Sequence, residues 1–322
     1  MSKDCRNNVR VINEDFKIAL EGGILKPVTE MVKNSGNLLM CFRGKYINVY
    51  YRGHSLFKIE QMGKEDYYYY KVSFDFNHAR FTKEWDKVLE LLEAIGYSLN
   101  HKNHDICNKK NKVSAIVDPE DIDFWNKSKE IFSKLIDDYF SVDEDKLYDY
   151  FKICKIINKN KFIEKQRQQK IAMSNTNCDN GYFIYDIEYT QARDSKEEKN
   201  SGRFDMLAMR FENKVPVELV LIELKSTKSA CTSGSGIKKH YEDLTEYSNN
   251  LHYINVRKRE AIAIFNLYSS LNIISANRID DVVDLNVKIL FIFTDEAKTC
   301  FSPKDIPDEN KIAMEDENNV IK

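Results

Sequence analysis

The residues whose types and spacing can do chemistry stand in the second half of the chain. In Leu221-Ile222-Glu223-Leu224-Lys225 an acid and a base two residues apart interrupt an otherwise apolar run. Strand alternation places side chains i and i+2 on one face, so Glu223 and Lys225 point the same way. Burying such charges is costly unless they are paired or bind a metal. Asp205 lies in the preceding apolar stretch, joined to this one through the short turn Glu212-Asn213-Lys214. It stands six residues before Phe211, and Glu223 stands eight after Val215. That register can set the two carboxylates side by side.

Two carboxylates and a backbone carbonyl form an oxygen-rich site suited to Mg²⁺ or Mn²⁺. Such an ion polarises a phosphodiester and lowers the pKa of a bound water. A lysine beside it can orient that water and balance developing negative charge. An isolated E-x-K is more often a structural ion pair at a strand end. The hairpin Asp, the apolar strand and a helix directly after it favour the functional reading.

The segment after Lys225 has its own logic. Small polar residues from Ser226 to Gly236, Ser235 among them, form a loop that opens a helix. Backbone N–H groups at a helix start attract anions. Lys228, Lys238 and His240 add positive charge nearby, and the group reads as a phosphate-backbone contact. A solvated basic helix is the plainer alternative, and for Lys239 the better one.

Other candidates are weaker. His101, His104, Asp105 and Cys107 have zinc-ligand types but no second cluster to complete a tetrahedral site. Tyr67 to Tyr70 can stack on bases, yet a strand turns two of four inward. No glycine-rich loop precedes a Lys-Ser or Lys-Thr, and Ser226 and Ser235 lack a G-x-S-x-G setting.

Placing these residues demands a particular run of elements. Apolar spacing with Gly22, Gly23 and Pro27 as interruptions predicts one or two short helices over residues 13–33. From Leu38 the period changes to two, and residues 46–51, 55–61 and 67–76 read as an antiparallel meander. Residues 85–95 return to helical spacing, residues 101–112 read as a loop, and Asp118-Pro119 opens a helix to 140. Residues 146–171 read as a long helix. Three strands follow, over 182–191, 203–211 and 217–226, with a polar loop at 193–201. Helices to about 250 and over 257–271 and a last apolar strand over 287–294 complete the pattern. There is no internal repeat.

Gly202-Arg203-Phe204-Asp205, then Glu223-Leu224-Lys225, then Ser235-Gly236 opening a helix, resembles the PD-(D/E)XK nuclease superfamily over residues 145–295. The resemblance implies a restriction-endonuclease-like α/β core: a helix, three antiparallel-type strands, a helix and a further strand. It implies that Asp205 and Glu223 bind the divalent ion and that Lys225 assists the attacking water. Phe204 stands where the name-giving Pro would be. One branch carries Gln-x-x-x-Tyr on the following helix, for which Asp243-x-x-x-Tyr247 is the nearest equivalent. Many members hold a further acid on the first core helix. Glu164 fits that role, with a solvated helix face as the open alternative and Glu188 as a rival.

The expected organisation is an N-terminal α+β domain (1–115), a helical connector (116–144), the nuclease-like core (145–295) and an acidic tail (296–322) expected to be flexible. Residues 295–322 carry net −4 against −2 for the chain, so residues 1–294 carry +2. A wholesale basic coat is absent. Composition is that of a globular chain, with 42% hydrophobic and 31% charged residues. Seven scattered cysteines without a C-x-x-C pair suit a reducing, cytoplasmic setting. The polar start is unlike a secretory signal, and no apolar run is long enough to span a bilayer. The expected function is a Mg²⁺- or Mn²⁺-dependent nuclease; the resemblance implies DNA rather than RNA as substrate and a restriction or defence setting. Rival expectations are an inactive nuclease-fold binding module, and an N-terminal sensor that gates a nuclease. A homodimer is compatible with the sequence, and no membrane partner is expected.

Overall fold

The computed structural model describes residues 9–64, 67–75, 98–99, 112–117, 159–176, 178–190, 202–232, 236–279, 284–300, 306–314 and 319–321. The chain forms two compact units. One is Ile12–Phe162; the other joins Met1–Val11 to Ile163–Lys322. Both are mixed α/β, and among the described residues no helix is long and apolar enough to cross a membrane.

The first unit opens with α1 (Glu14–Glu21) and α2 (Lys26–Asn34). Asn13 caps α1, its Oδ1 accepting from the Phe16 N–H at 2.9 Å, and Glu14 and Asp15 suit the positive end of the helix dipole. Pro27 sits in the first turn of α2, where a missing N–H costs nothing. The helices accompany an antiparallel sheet of β1 (Leu38–Phe42), β2 (Tyr46–Tyr51), β3 (His54–Lys64), β4 (Tyr67–Asp75), β5 (Ser98–Leu99) and β6 (Lys112–Val117), in the order β1-β2-β3-β4-β6-β5. Arg52 and Gly53 take positive φ (47° and 77°) in the two-residue turn between β2 and β3. The meander expected from period-two spacing is thus present. Strands β5 and β6 are not among those expected from the sequence, and β5 has only two residues in which to alternate. Of the Tyr67–Tyr70 run, Tyr70 is buried, and Tyr68 and Tyr69 are half-buried. The helices expected at 85–95 and 119–140, and the zinc-type residues at 101–107, lie outside the described residues.

The second unit carries α3 (Lys159–Ser174) from Ile163 onward, then the antiparallel strands β7 (Tyr182–Thr190), β8 (Arg203–Glu212) and β9 (Val215–Lys225). Next come α4 (Lys228–Thr232), α5 (Ile237–Ser248) and α6 (Leu251–Ser270). Strand β10 (Asn286–Phe293) pairs parallel to β9, and β11 (Lys311–Ala313) pairs parallel to β10. The sheet order is β11-β10-β9-β8-β7. β9 is its central strand. Leu219, Val220, Leu221 and Ile222 are fully buried, as a strand covered on both faces requires. Phe265 of α6 packs edge-on to Phe183 of β7 and tilted against Phe211 of β8. Part of the tail expected to be flexible instead supplies edge strand β11, and Ile306, Met314 and Ile321 of that tail are buried. Three short apolar anchors in an acidic stretch hold it to the core.

The N-terminal arm belongs to this second unit through charge. Arg10 is ion-paired to Asp186, donates its backbone N–H to Glu260 at 2.8 Å and lies 4.0 Å from the centre of the Tyr189 ring. Arg257 bonds Glu260 at 2.9 Å and the Tyr189 hydroxyl at 2.7 Å. The side chains of Asp186 and Glu260 are wholly enclosed. Two buried carboxylates are thus matched by two guanidinium groups, the arrangement that makes such burial tolerable.

Candidate active site

The site grows from the end of β9. Lys225 donates to Glu223 Oε1 at 2.9 Å, and both side chains are nearly enclosed, 4% and 6% exposed. The same-face placement expected from strand parity therefore holds. The strand end is pinned from β10: the Thr294 N–H donates to the Lys225 carbonyl at 3.1 Å, and the Thr294 hydroxyl to that of Ser226 at 3.0 Å. Glu223 Oε1 has a second partner, His240 Nδ1 at 2.5 Å, from the first turns of α5.

Asp205 reaches this group through an irregular ladder. The β8–β9 hairpin begins with Glu212 opposite Val215 and Phe211 opposite Pro216. It then skips Val217, so that Arg210 faces Glu218 and Met206 faces Ile222. The paired register ends there, one residue short of Asp205 and Glu223. Asp205 Oδ2 accepts the Leu224 N–H at 2.7 Å. Burial pushes the Asp205 carboxyl well above the usual carboxylate range, and the negative charges of Glu223 and Glu164 add to it, against the Leu224 N–H and Lys225. Burial also opposes charge on Glu223. The hydrogen bond from His240 and the positive charge of Lys225 outweigh it and hold Glu223 below its ordinary value. One carboxylate is thus strongly compensated while its neighbour is not.

The other expected residues fall as follows. Glu164 lies on α3, within electrostatic reach of Asp205. Its rival Glu188 is bonded to Lys165 at 2.9 Å. Gly236 is the residue preceding α5, extended at φ −63° and ψ 176°, and its carbonyl accepts the His240 N–H at 3.1 Å. Lys228 and Lys238 are exposed on α4 and α5. Lys239 pairs with Asp243 at 2.5 Å, in keeping with a solvated helix surface. Ser235 lies outside the described residues. Tyr247, in the Asp243-x-x-x-Tyr247 spacing, is buried and packs at 4.7 Å on the Phe204 ring. A Cβ on Gly202 would stand 2.4 Å from Tyr247, which is why the residue there must lack one. The glycine and the tyrosine therefore form one packing contact that seats Phe204, directly before Asp205.

Two features have no signature in the sequence: the bond from His240 to Glu223 and the enclosed Arg10–Asp186–Glu260–Arg257 cluster. His240 is legible there only as a basic residue near a helix start. It meets the strand because α5 folds back over the end of β9, a tertiary event without a local signal.

The donor set suits a hard divalent ion. Asp205 and Glu223 offer carboxylate oxygens, Glu164 adds negative charge, and Asp205 is held at an unfavourable charge balance that a cation relieves. Oδ1 of Asp205 and Oε2 of Glu223 are not used in the contacts described above. Among the described residues no group of three or more His, Cys, Asp and Glu side chains converges on one point. The residues present thus fit an ion held by two carboxylates and completed by other oxygens. Comparison with protein-family models, curated proteins and solved structures finds no match to the chain.

Proposed function

We propose that the chain is a divalent-metal-dependent nuclease of the PD-(D/E)XK type, with a restriction-endonuclease-like core in its second unit. The observation that carries this reading is that Asp205 accepts the Leu224 N–H, one residue past Glu223, and feels the charge of Glu223, to which Lys225 is bonded. Asp205 and Glu223 are the ligands for Mg²⁺ or Mn²⁺, and Glu164 is a further acid at the site. When bound, the ion supplies a Lewis acid at the scissile phosphate and a water of lowered pKa. Lys225 orients the attacking water and balances charge that develops on the phosphate. The start of α5 at Gly236, with Ser235, Lys228 and Lys238, grips the phosphate backbone. DNA rather than RNA is the substrate, in a restriction or defence setting, which rests on the resemblance alone; the cytoplasmic setting rests on the cysteine pattern.

The test is incubation of supercoiled plasmid, linear DNA and RNA with Mg²⁺ or Mn²⁺, against EDTA and against Asp205→Asn. Metal-dependent cleavage of DNA that both controls remove is the expected result. Absence of cleavage of every substrate with either ion overturns the reading.

A further inference from the structure

Among the described residues, Glu223 is bonded through one oxygen only. Its Oε1 accepts from Lys225 Nζ at 2.9 Å and from His240 Nδ1 at 2.5 Å, and its Oε2 takes part in neither bond. A carboxylate oxygen has two lone-pair sites, so two N–H donors saturate Oε1. An ion approaching Glu223 therefore meets one open oxygen. Ca²⁺ commonly takes both oxygens of a carboxylate in a wide, flexible shell, whereas Mg²⁺ takes single oxygens in a tight octahedron.

We propose that His240 is a positioning residue that restricts Glu223 to one metal-facing oxygen and so makes the site select Mg²⁺ or Mn²⁺ over Ca²⁺. This rests on the metal-site reading above. Lys225 alone does not achieve it. One donor leaves a lone pair of Oε1 open, and an ammonium on a four-carbon stem can follow either oxygen. The imidazole is a planar donor on a short stem, carried by a helix turn whose own bond runs from the His240 N–H to the Gly236 carbonyl at 3.1 Å. Neutral imidazole with its proton on Nδ1 and imidazolium both donate there, so the device does not depend on the charge of the ring. It also ties the first turns of α5, where the phosphate grip is placed, to the residue that holds the ion.

The experiment is calorimetric titration of EDTA-stripped protein with Mg²⁺, Mn²⁺ and Ca²⁺, with melting temperatures recorded for every variant. His240→Phe keeps the ring and removes the donor. His240→Asn places an amide N–H where Nδ1 stood. His240→Gln places it at the Nε2 position instead, and serves as a second donor-removing variant. In His240→Phe and His240→Gln, Mg²⁺ affinity is expected to fall on the order of tenfold while Ca²⁺ affinity holds or rises. His240→Asn is expected to keep the wild-type ratio. A folded His240→Phe or His240→Gln with unchanged Mg²⁺-to-Ca²⁺ discrimination overturns the role of His240 alone. Wild-type protein that binds none of these ions in an Asp205-dependent way overturns the metal site itself.

Discussion

Asp205 accepts the Leu224 N–H, one residue past Glu223, because the β8–β9 ladder slips by a single residue at Val217. Without the slip, the register set by Glu212 opposite Val215 would carry through to Asp205 opposite Ile222. Side chains alternate across a strand, so Glu223 would then point to the other side of the sheet. The bulge follows Pro216, which has no N–H to give to the ladder. Removing Val217 is therefore expected to abolish Asp205-dependent Mg²⁺ binding in a chain that still melts cooperatively. Calorimetric titration of that variant checks it, and wild-type affinity would show that the bulge is dispensable.

The strained charge of Asp205 makes it a place where function and stability conflict. Its folded pKa is raised, so the native state binds more protons than the unfolded chain in the window above the ordinary carboxylate range. Stability without metal therefore falls as pH rises through that window. Asp205→Asn retains an oxygen for the Leu224 N–H and removes the charge. In EDTA at neutral pH its melting temperature is expected to exceed wild type, by roughly 2–4 °C for each kcal/mol relieved. Mg²⁺ is expected to raise the melting temperature of wild type only. A melting temperature for Asp205→Asn at or below wild type in EDTA counts against the strained carboxylate.

Lys225→Met keeps most of the stem and loses the ammonium. If Lys225 serves the attacking water, cleavage should drop on the order of 10²-fold or more, while DNA binding holds. Near-normal turnover in the folded variant would remove Lys225 from the chemistry.

The proposed phosphate grip has an electrostatic signature. Lys228 and Lys238 are exposed, so neutralising both should leave the fold and metal binding intact. The dependence of log affinity for DNA on log salt should flatten by roughly one unit for each phosphate no longer neutralised. An unchanged slope would place the entry of nucleic acid elsewhere.

Arg10 offers a test of the N-terminal arm. Arg10→Ala removes one guanidinium from the enclosed Asp186 and Glu260, while Glu260 keeps Arg257 and the backbone N–H of residue 10. A loss of about 3–5 kcal/mol is expected from removing one member of a buried ion-pair cluster. Urea denaturation measures it, and a loss within experimental error would mean that the arm is not anchored by this pair.

What the sequence by itself determined here was periodicity and parity. Glu223 and Lys225 share a face because they are two apart on an apolar strand. The strand runs, the N-terminal meander and the helix after Gly236 follow equally from local pattern and turn chemistry. Tertiary structure decided what depends on partners far along the chain. A one-residue bulge at Val217 chose which residue Asp205 meets, and no propensity announces a slip of one. The fold-back of α5 gave Glu223 a second donor in His240. Arg10 joined a unit that otherwise begins at Ile163, since the carboxylates that hold it lie 176 and 250 residues away. Local pattern is set by neighbours a few residues apart, whereas the charge balance of a buried site depends on which distant groups packing brings within a few ångströms.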